Sequence, residues 1–304
     1  MMHDSSKTRK ASRPDKFAPS HARLAFAALM LGNICLACGP LMVRLADVGP
    51  VASGFWRLAL AAPLLLLIGR ATGNSIARLP LRTWLLIGVG GLFFAADLAA
   101  WHSGIVQTKL ANATLFGNVT SFTFALYGFI VARALPGRNQ GVALLLAALG
   151  VALLLGHSYE LSPRHFAGDL LCLLAGFFYT GYLVAIERAR AALGPLPVLM
   201  IATLAGILPL LGFALLLGEP IVPQNWTPLV ILAISSQVIG QGLMVYAIGH
   251  LTPVVVGVGL LVQPVIASAI GWFVYGETLS TTDWIGATAI GVALVLVRRP
   301  GKTN

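Results

Sequence analysis

Apolar residues run through this chain in long blocks, not in the alternation of half-buried strands or the one-sided spacing of surface helices. Between polar or Gly/Pro breaks the blocks reach about twenty residues, the length that crosses a hydrocarbon core of ~30 Å as a helix. Ten such blocks occur, near residues 23–45, 50–69, 82–104, 108–131, 139–156, 165–187, 196–217, 227–249, 253–275 and 281–297. Asn33 and Pro40 interrupt the first, and the polar stretch Gly104 to Lys109 separates the third from the fourth. None alternates as a barrel strand must, so helices are the way to satisfy the backbone in lipid. The pattern predicts an all-α membrane protein with ten transmembrane helices.

Composition agrees and removes the alternatives. The chain is 58% hydrophobic and only 10% charged, against ~25% charged in a typical soluble domain. That excludes a water-soluble enzyme, and the hydrophobicity excludes a disordered chain. Three cysteines, all inside apolar runs, exclude a disulfide scaffold. Cys35-x-x-Cys38 has redox spacing, but with no second pair and no neighbouring His it reads as small apolar packing. No metal, cofactor or catalytic residue is expected. G-x-x-x-x-G-K-[ST], G-x-S-x-G and H-E-x-x-H are absent, which argues against direct ATP drive and intramembrane hydrolysis.

The net charge of +10 sorts by side of the membrane. With a cytoplasmic N-terminus, sixteen Lys and Arg fall on the cytoplasmic side: five from the tail (Lys7, Arg9, Lys10, Arg13 and Lys16) and Arg23, then Arg70, Arg78, Arg82, Arg133, Arg138, Arg188, Arg190, Arg298, Arg299 and Lys302. The opposite side receives Arg44, Lys109 and Arg164. The positive-inside rule then places both termini in the cytoplasm, and the expected location is a bacterial inner membrane. The tail, residues 1–22, lacks a signal peptide's apolar core and cleavage site, and its charges suit anionic lipid. The expected partners are the bilayer and a small-molecule substrate, not nucleic acid, and a monomer suffices.

The halves resemble each other in order and spacing. At an offset of 145, Leu115 falls on Leu260, Asn118 on Gln263, Val119 on Pro264 and Tyr127 on Trp272. Gly150-Val151-Ala152-Leu153 is echoed by Gly291-Val292-Ala293-Leu294, and Pro63 and Pro209 occupy similar places. Five spans per repeat is odd, so residues 157–298 form a second repeat inverted relative to 23–156, with a short tail at 299–304. Inverted repeats are the architecture of secondary transporters, whose substrate site lies near the midplane where the repeats meet.

Phe55-Trp56-Arg57 early in the second span and Gly276-Glu277-Thr278-Leu279 leading into the tenth resemble the EamA-type repeat of the drug/metabolite transporter superfamily. In the first repeat Ala132-Arg133-Ala134-Leu135 stands where Gly-Glu is expected. The resemblance implies a metabolite or drug permease, often an exporter; relatives carry aromatic amino acids, nucleosides, sugars or cationic drugs.

Depth estimates at ~1.5 Å per residue put Asn33, Asn118, Gln237 and Gln263 within about 15 Å of a membrane face, near the midplane. Amides at that depth mark helix contacts or a polar cavity. Gln241 lies one turn after Gln237, and Phe178, Tyr179 and Tyr182 are too deep for the interfacial aromatic belt that explains Trp84, Trp226 and Trp284. With Trp101, these form the expected substrate site. Pro40 and Pro264 interrupt spans and permit gating. Arg57 and Asp97 are the charges within the hydrocarbon region. They are either partners in a gating element, or Asp97 titrates and couples export to protons. Asp47, Asp169, Glu187 and Glu277 fall at helix ends. The preferred function is export of amino acids, aromatic or otherwise apolar, by alternating access through a mostly uncharged cavity and without tight coupling. The rivals are a proton-coupled multidrug exporter and a membrane enzyme or lipid-assembly factor.

Overall fold

A computed structural model of the chain describes residues 19–74, 79–133, 137–139, 141–143, 145–146, 149–150, 153, 162–260, 262–278 and 280–297. Among these the regular structure is helical, with no strand. Eight segments are long and apolar enough to cross a membrane: 22–45, 50–71, 81–105, 110–131, 163–190, 195–216, 227–248 and 253–275. They coincide with eight of the ten expected spans. The expected tenth is the helix Thr281–Val297, whose apolar core is shorter. Half of the fifth, at 139–156, lies outside the described residues; the tail to residue 18, the repeat boundary at 156–157, the Ala134–Leu135 stretch and 299–304 lie wholly outside them.

Local chemistry sets where the helices start and stop. Pro50, Pro163, Pro195 and Pro253 each open a helix, where the missing N–H costs nothing and φ is already helical. Ser162 caps its helix by accepting from His165 N at 3.2 Å. Two spans end in a left-handed glycine followed by glutamate: Gly218 (φ 65°) before Glu219 and Gly276 (φ 61°) before Glu277. Residues with a Cβ avoid that conformation, so the glycines turn the chain and aim the carboxylates.

Packing runs mainly between the two halves of the sequence. The third span packs most extensively on the sixth, and the second and third both pack on the seventh. Small residues allow the close approach, as expected where helices associate by fit and not by hydrophobic drive. A Cβ on Gly91 would lie 2.6 Å from Ala202 O, and one on Gly104 would lie 2.8 Å from Gly168 O.

Among the described residues four spans depart from a continuous α-helix, three by a break and one by a widened turn. The first breaks at Cys38, between Pro19–Ala37 and Gly39–Leu45. The fourth breaks at Asn118, between Leu110–Gly117 and Val119–Ala132. The ninth breaks between Pro253–Gly259 and Val262–Tyr275. Pro40 and Pro264 both sit in the first turn after a break. The eighth span carries a ten-residue π-helix, Leu232–Gln241, a widened helical form that is frequent at functional sites.

At one end of the bundle the loops are tied together. Glu219 accepts from Val51 N (3.3 Å) and Ala52 N (2.8 Å), capping the second span. Trp56 Nε1 donates to Ile221 O at 2.7 Å and meets Trp226 edge-on at 4.8 Å. Asp47 Oδ2 accepts from Asn225 N (2.9 Å) and Gln224 N (2.8 Å), bonds led by Asn225 that hold its carboxyl below the usual carboxylate range. Arg44 completes this end. Its Nη1 meets Glu277 Oε1 at 2.7 Å, its Nη2 donates to Thr108 O at 2.7 Å and its Nε to Ile105 O at 3.0 Å. Glu277 Oε2 in turn accepts from Leu110 N at 2.8 Å, capping the fourth span. At the opposite end Tyr127 donates to Glu187 Oε2 at 3.1 Å, Arg190 Nε donates to Val245 O at 2.9 Å, and Arg190 Nη1 donates to Leu193 O.

Candidate functional site: a central polar cavity

The broken helices meet in the middle of the bundle. In the fourth span Asn118 leaves helical geometry (φ −73°, ψ 2°). Its Nδ2 donates back to Thr114 O at 2.7 Å and its Oδ1 accepts from Ser121 Oγ at 3.2 Å, so the side chain serves backbone and neighbours at the break. Thr120 Oγ1 reaches across to Gly176 O in the sixth span at 2.7 Å. In the ninth span Gln263 N closes a tight turn on Leu260 O at 3.1 Å, and Gln263 Nε2 donates to Asn33 Oδ1 at 2.6 Å. Asn33 Nδ2 donates to Leu29 O at 2.8 Å. The fourth and ninth spans touch on both sides of these breaks, and a gap remains between.

That gap is a cavity of about 70 Å³, room for a few waters. Of the expected site residues, Trp101, Asn118, Tyr179, Gln241 and Gln263 line it, and so do Arg57 and Asp97. Gln241 Nε2 donates to the Tyr179 hydroxyl at 3.3 Å, fixing both on the wall. Others stand behind it. Asn33 is fully buried and holds Gln263. Gln237 is fully buried between Arg57 and Thr203. Tyr182 is buried in an aromatic stack, 4.6 Å from Phe94 and 5.6 Å from Tyr179. Its hydroxyl has no partner among the described residues. Phe178 turns away toward Phe93, 6.4 Å between ring centroids. Pro40 and Pro264 are at the breaks and not on the wall.

Arg57 and Asp97 do not form an ion pair: among the described residues the ion pair within 4.0 Å is Arg44–Glu277. The expectation of an almost uncharged path therefore changes. One guanidinium and one carboxylate face the same small space. Sequence reasoning missed the supporting residues Phe94, Thr120 and Thr203, which are ordinary apolar or small polar residues in apolar runs. It also missed Glu219, although Gly218-Glu219 repeats the Gly276-Glu277 pattern.

Comparisons with known proteins bear on the whole arrangement. Residues 166–299 match the EamA-like transporter family. An uncharacterized transporter of Archaeoglobus fulgidus is 25% identical over 268 residues, which is 84% of this chain and 91% of that protein. A protein known from a crystal structure covers 92% of this chain and 96% of its own, with a TM-score of 0.67 at 19% identity, and so shares the fold. The second half of the chain thus matches the EamA-like transporter family and 84% of its length is similar to an uncharacterized transporter, in agreement with the resemblance to the drug/metabolite transporter superfamily carried by Phe55-Trp56-Arg57 and Gly276-Glu277.

Proposed function

We propose that the protein is a secondary carrier that exports small metabolites, amino acids with an apolar or aromatic body fitting best, by alternating access about the central cavity. The observation that carries this reading is the cavity itself: polar side chains from both halves of the sequence converge on a small, half-open space between two broken helices. Discontinuous helices at a midplane site are how carriers expose backbone and side chains to a solute without a continuous pore. In this reading the halves are inverted repeats and both termini are cytoplasmic in a bacterial inner membrane, so the tied Arg44 end faces outward. Tyr179 offers a ring face to a planar body, and the amides of Asn118, Gln241 and Gln263 offer donors and acceptors.

Purified protein in liposomes preloaded with unlabelled amino acids is expected to accumulate labelled amino acid by counterflow, without an imposed gradient. Asn118→Leu is expected to raise the half-saturating concentration at least several-fold. No exchange of any amino acid while another solute class moves would sink the substrate assignment. One observation favours a second reading. Asp97 lines the cavity and has no hydrogen-bond partner among the described residues, which suits a carboxyl that takes up a proton. If Asp97→Asn still exchanges substrate but loses a response to an imposed pH gradient that the unaltered protein shows, the carrier is proton-coupled.

A further inference from the structure

Two arginines in the first half meet the interior differently. Arg44 is used up by the fold: Nε, Nη1 and Nη2 each bond to Ile105 O, Glu277 Oε1 or Thr108 O. Arg57 is held by one nitrogen only. Its Nε donates to Gln237 Oε1 at 3.1 Å, and Gln237 Nε2 donates onward to Thr203 Oγ1 at 3.0 Å. The Phe94 ring lies 5.5 Å from the guanidinium carbon. This relay is buried, and it fixes the guanidinium plane from behind. Among the described residues neither terminal amino group of Arg57 has a partner, yet Arg57 lines the cavity.

Asp97 follows Phe94 by three residues on the same helix and lines the same cavity, 8% exposed. Among the described residues neither of its oxygens accepts a hydrogen bond or ion pair. A buried charge without a partner is costly. Direct pairing would relieve both groups, but they stand more than 4.0 Å apart. A guanidinium fork with both ends open matches a carboxylate through two parallel hydrogen bonds, and a carboxylate across a small gap matches an ammonium group.

We propose that Arg57 and Asp97 form a zwitterion clamp, in which Arg57 takes a substrate's carboxylate and Asp97 its ammonium group, with Gln237 and Thr203 as positioning residues for the guanidinium. The clamp rests on the carrier reading for its purpose but on binding for its test. It admits solutes that carry an ammonium and a carboxylate group on the same carbon and rejects those that carry one, because a singly charged ligand leaves the other wall group buried and alone.

The test is ligand-induced stabilisation of the full-length protein in detergent, with L-phenylalanine, its amide, phenethylamine and 3-phenylpropionate as probes. Phenylalanine is expected to raise Tm at concentrations at least tenfold below those needed for the three analogues. Arg57→Gln is expected to weaken phenylalanine at least tenfold while phenethylamine binds as well as or better than before, because no guanidinium is left alone; Asp97→Asn is expected to act in the same way on 3-phenylpropionate. Gln237→Leu is expected to cut the preference for phenylalanine over phenethylamine, a change that mere loss of packing does not produce. Arg57→Lys keeps the charge without the fork and is expected to fall between; it also serves if Arg57→Gln does not fold. Equal stabilisation by all four probes, none by phenylalanine, or variants that weaken all four alike overturns the clamp. Selective binding without counterflow overturns the carrier reading alone, and counterflow of phenylalanine without selectivity overturns the clamp alone.

Discussion

Replacing Arg44 with alanine is expected to open one end of the bundle. The substitution removes a 2.7 Å ion pair to Glu277 and leaves Thr108 O and Ile105 O without the donors they have now. It also removes the guanidinium that lies 4.7 Å from the Tyr275 ring. Truncating one member of a buried pair costs ~3–5 kcal/mol; both side chains here are 14% exposed, so the lower end, about 3 kcal/mol, is the better expectation. In the proposed carrier, which would alternate between two states, the loss falls on the state in which the contact is made. A bias of about 3 kcal/mol shifts that equilibrium roughly a hundredfold. Leu98 lines the cavity and is 1% exposed, so a cysteine placed there on a cysteine-free background reports the opening. Its labelling by a membrane-impermeant maleimide is expected to accelerate at least tenfold in Arg44→Ala. Glu277→Gln keeps an acceptor for Leu110 N and should shift the rate less. Labelling that stays at the unaltered rate would mean that the clasp is not part of any opening motion.

The second large effect is expected at Gly176, where the sixth span presses on the break in the fourth. A Cβ there would sit 2.6 Å from Gly117 O and 2.5 Å from Val119 Cγ1. The first is backbone and cannot rotate aside, so even alanine must push the fourth span off the sixth. Overpacking of this kind costs ~1–3 kcal/mol and at times more. Gly176→Ala is expected near the top of that range, read as a lowered Tm in detergent. Gly176→Leu is expected to fill the cavity, of which Gly176 is a wall, and to abolish counterflow. Gly212, whose added Cβ meets nothing within 4 Å, is the matched control, and Gly212→Ala should be neutral or slightly stabilising. Equal Tm values for the two alanine variants would show that the fourth and sixth spans can separate at little cost.

Much of the fold is legible in the sequence because span length is a one-dimensional property: an apolar run either reaches across a bilayer or does not. Asn118, Tyr179, Gln241 and Gln263, expected together from their positions along the spans, line one cavity. Facing is not legible, because it depends on the rotation of each helix. Gln237 and Gln241 look equivalent from their spacing, yet the π-helical segment around them puts one behind Arg57 and the other on the wall. No composition marks that widened turn in advance. Arg57 and Asp97 stand out as charges in apolar runs, but whether they touch depends on ångströms across two helices. Tyr182 and Phe178 lie within one turn of Tyr179 and still face elsewhere.

The hydrogen bond between Arg57 and Gln237 spans 180 residues of sequence, which bears on how the protein is made. A ribosome adds ~5–20 residues per second, so the guanidinium enters the membrane roughly 10–40 s before its acceptor has been synthesised. The second and third spans likewise wait for the sixth and seventh, on which they pack. For that interval the first half must be sheltered by water at the insertion site, by lipid headgroups or by a chaperone. Variants that slow translation between the halves therefore prolong the time in which Arg57 lies in the membrane without the amide that will hold it.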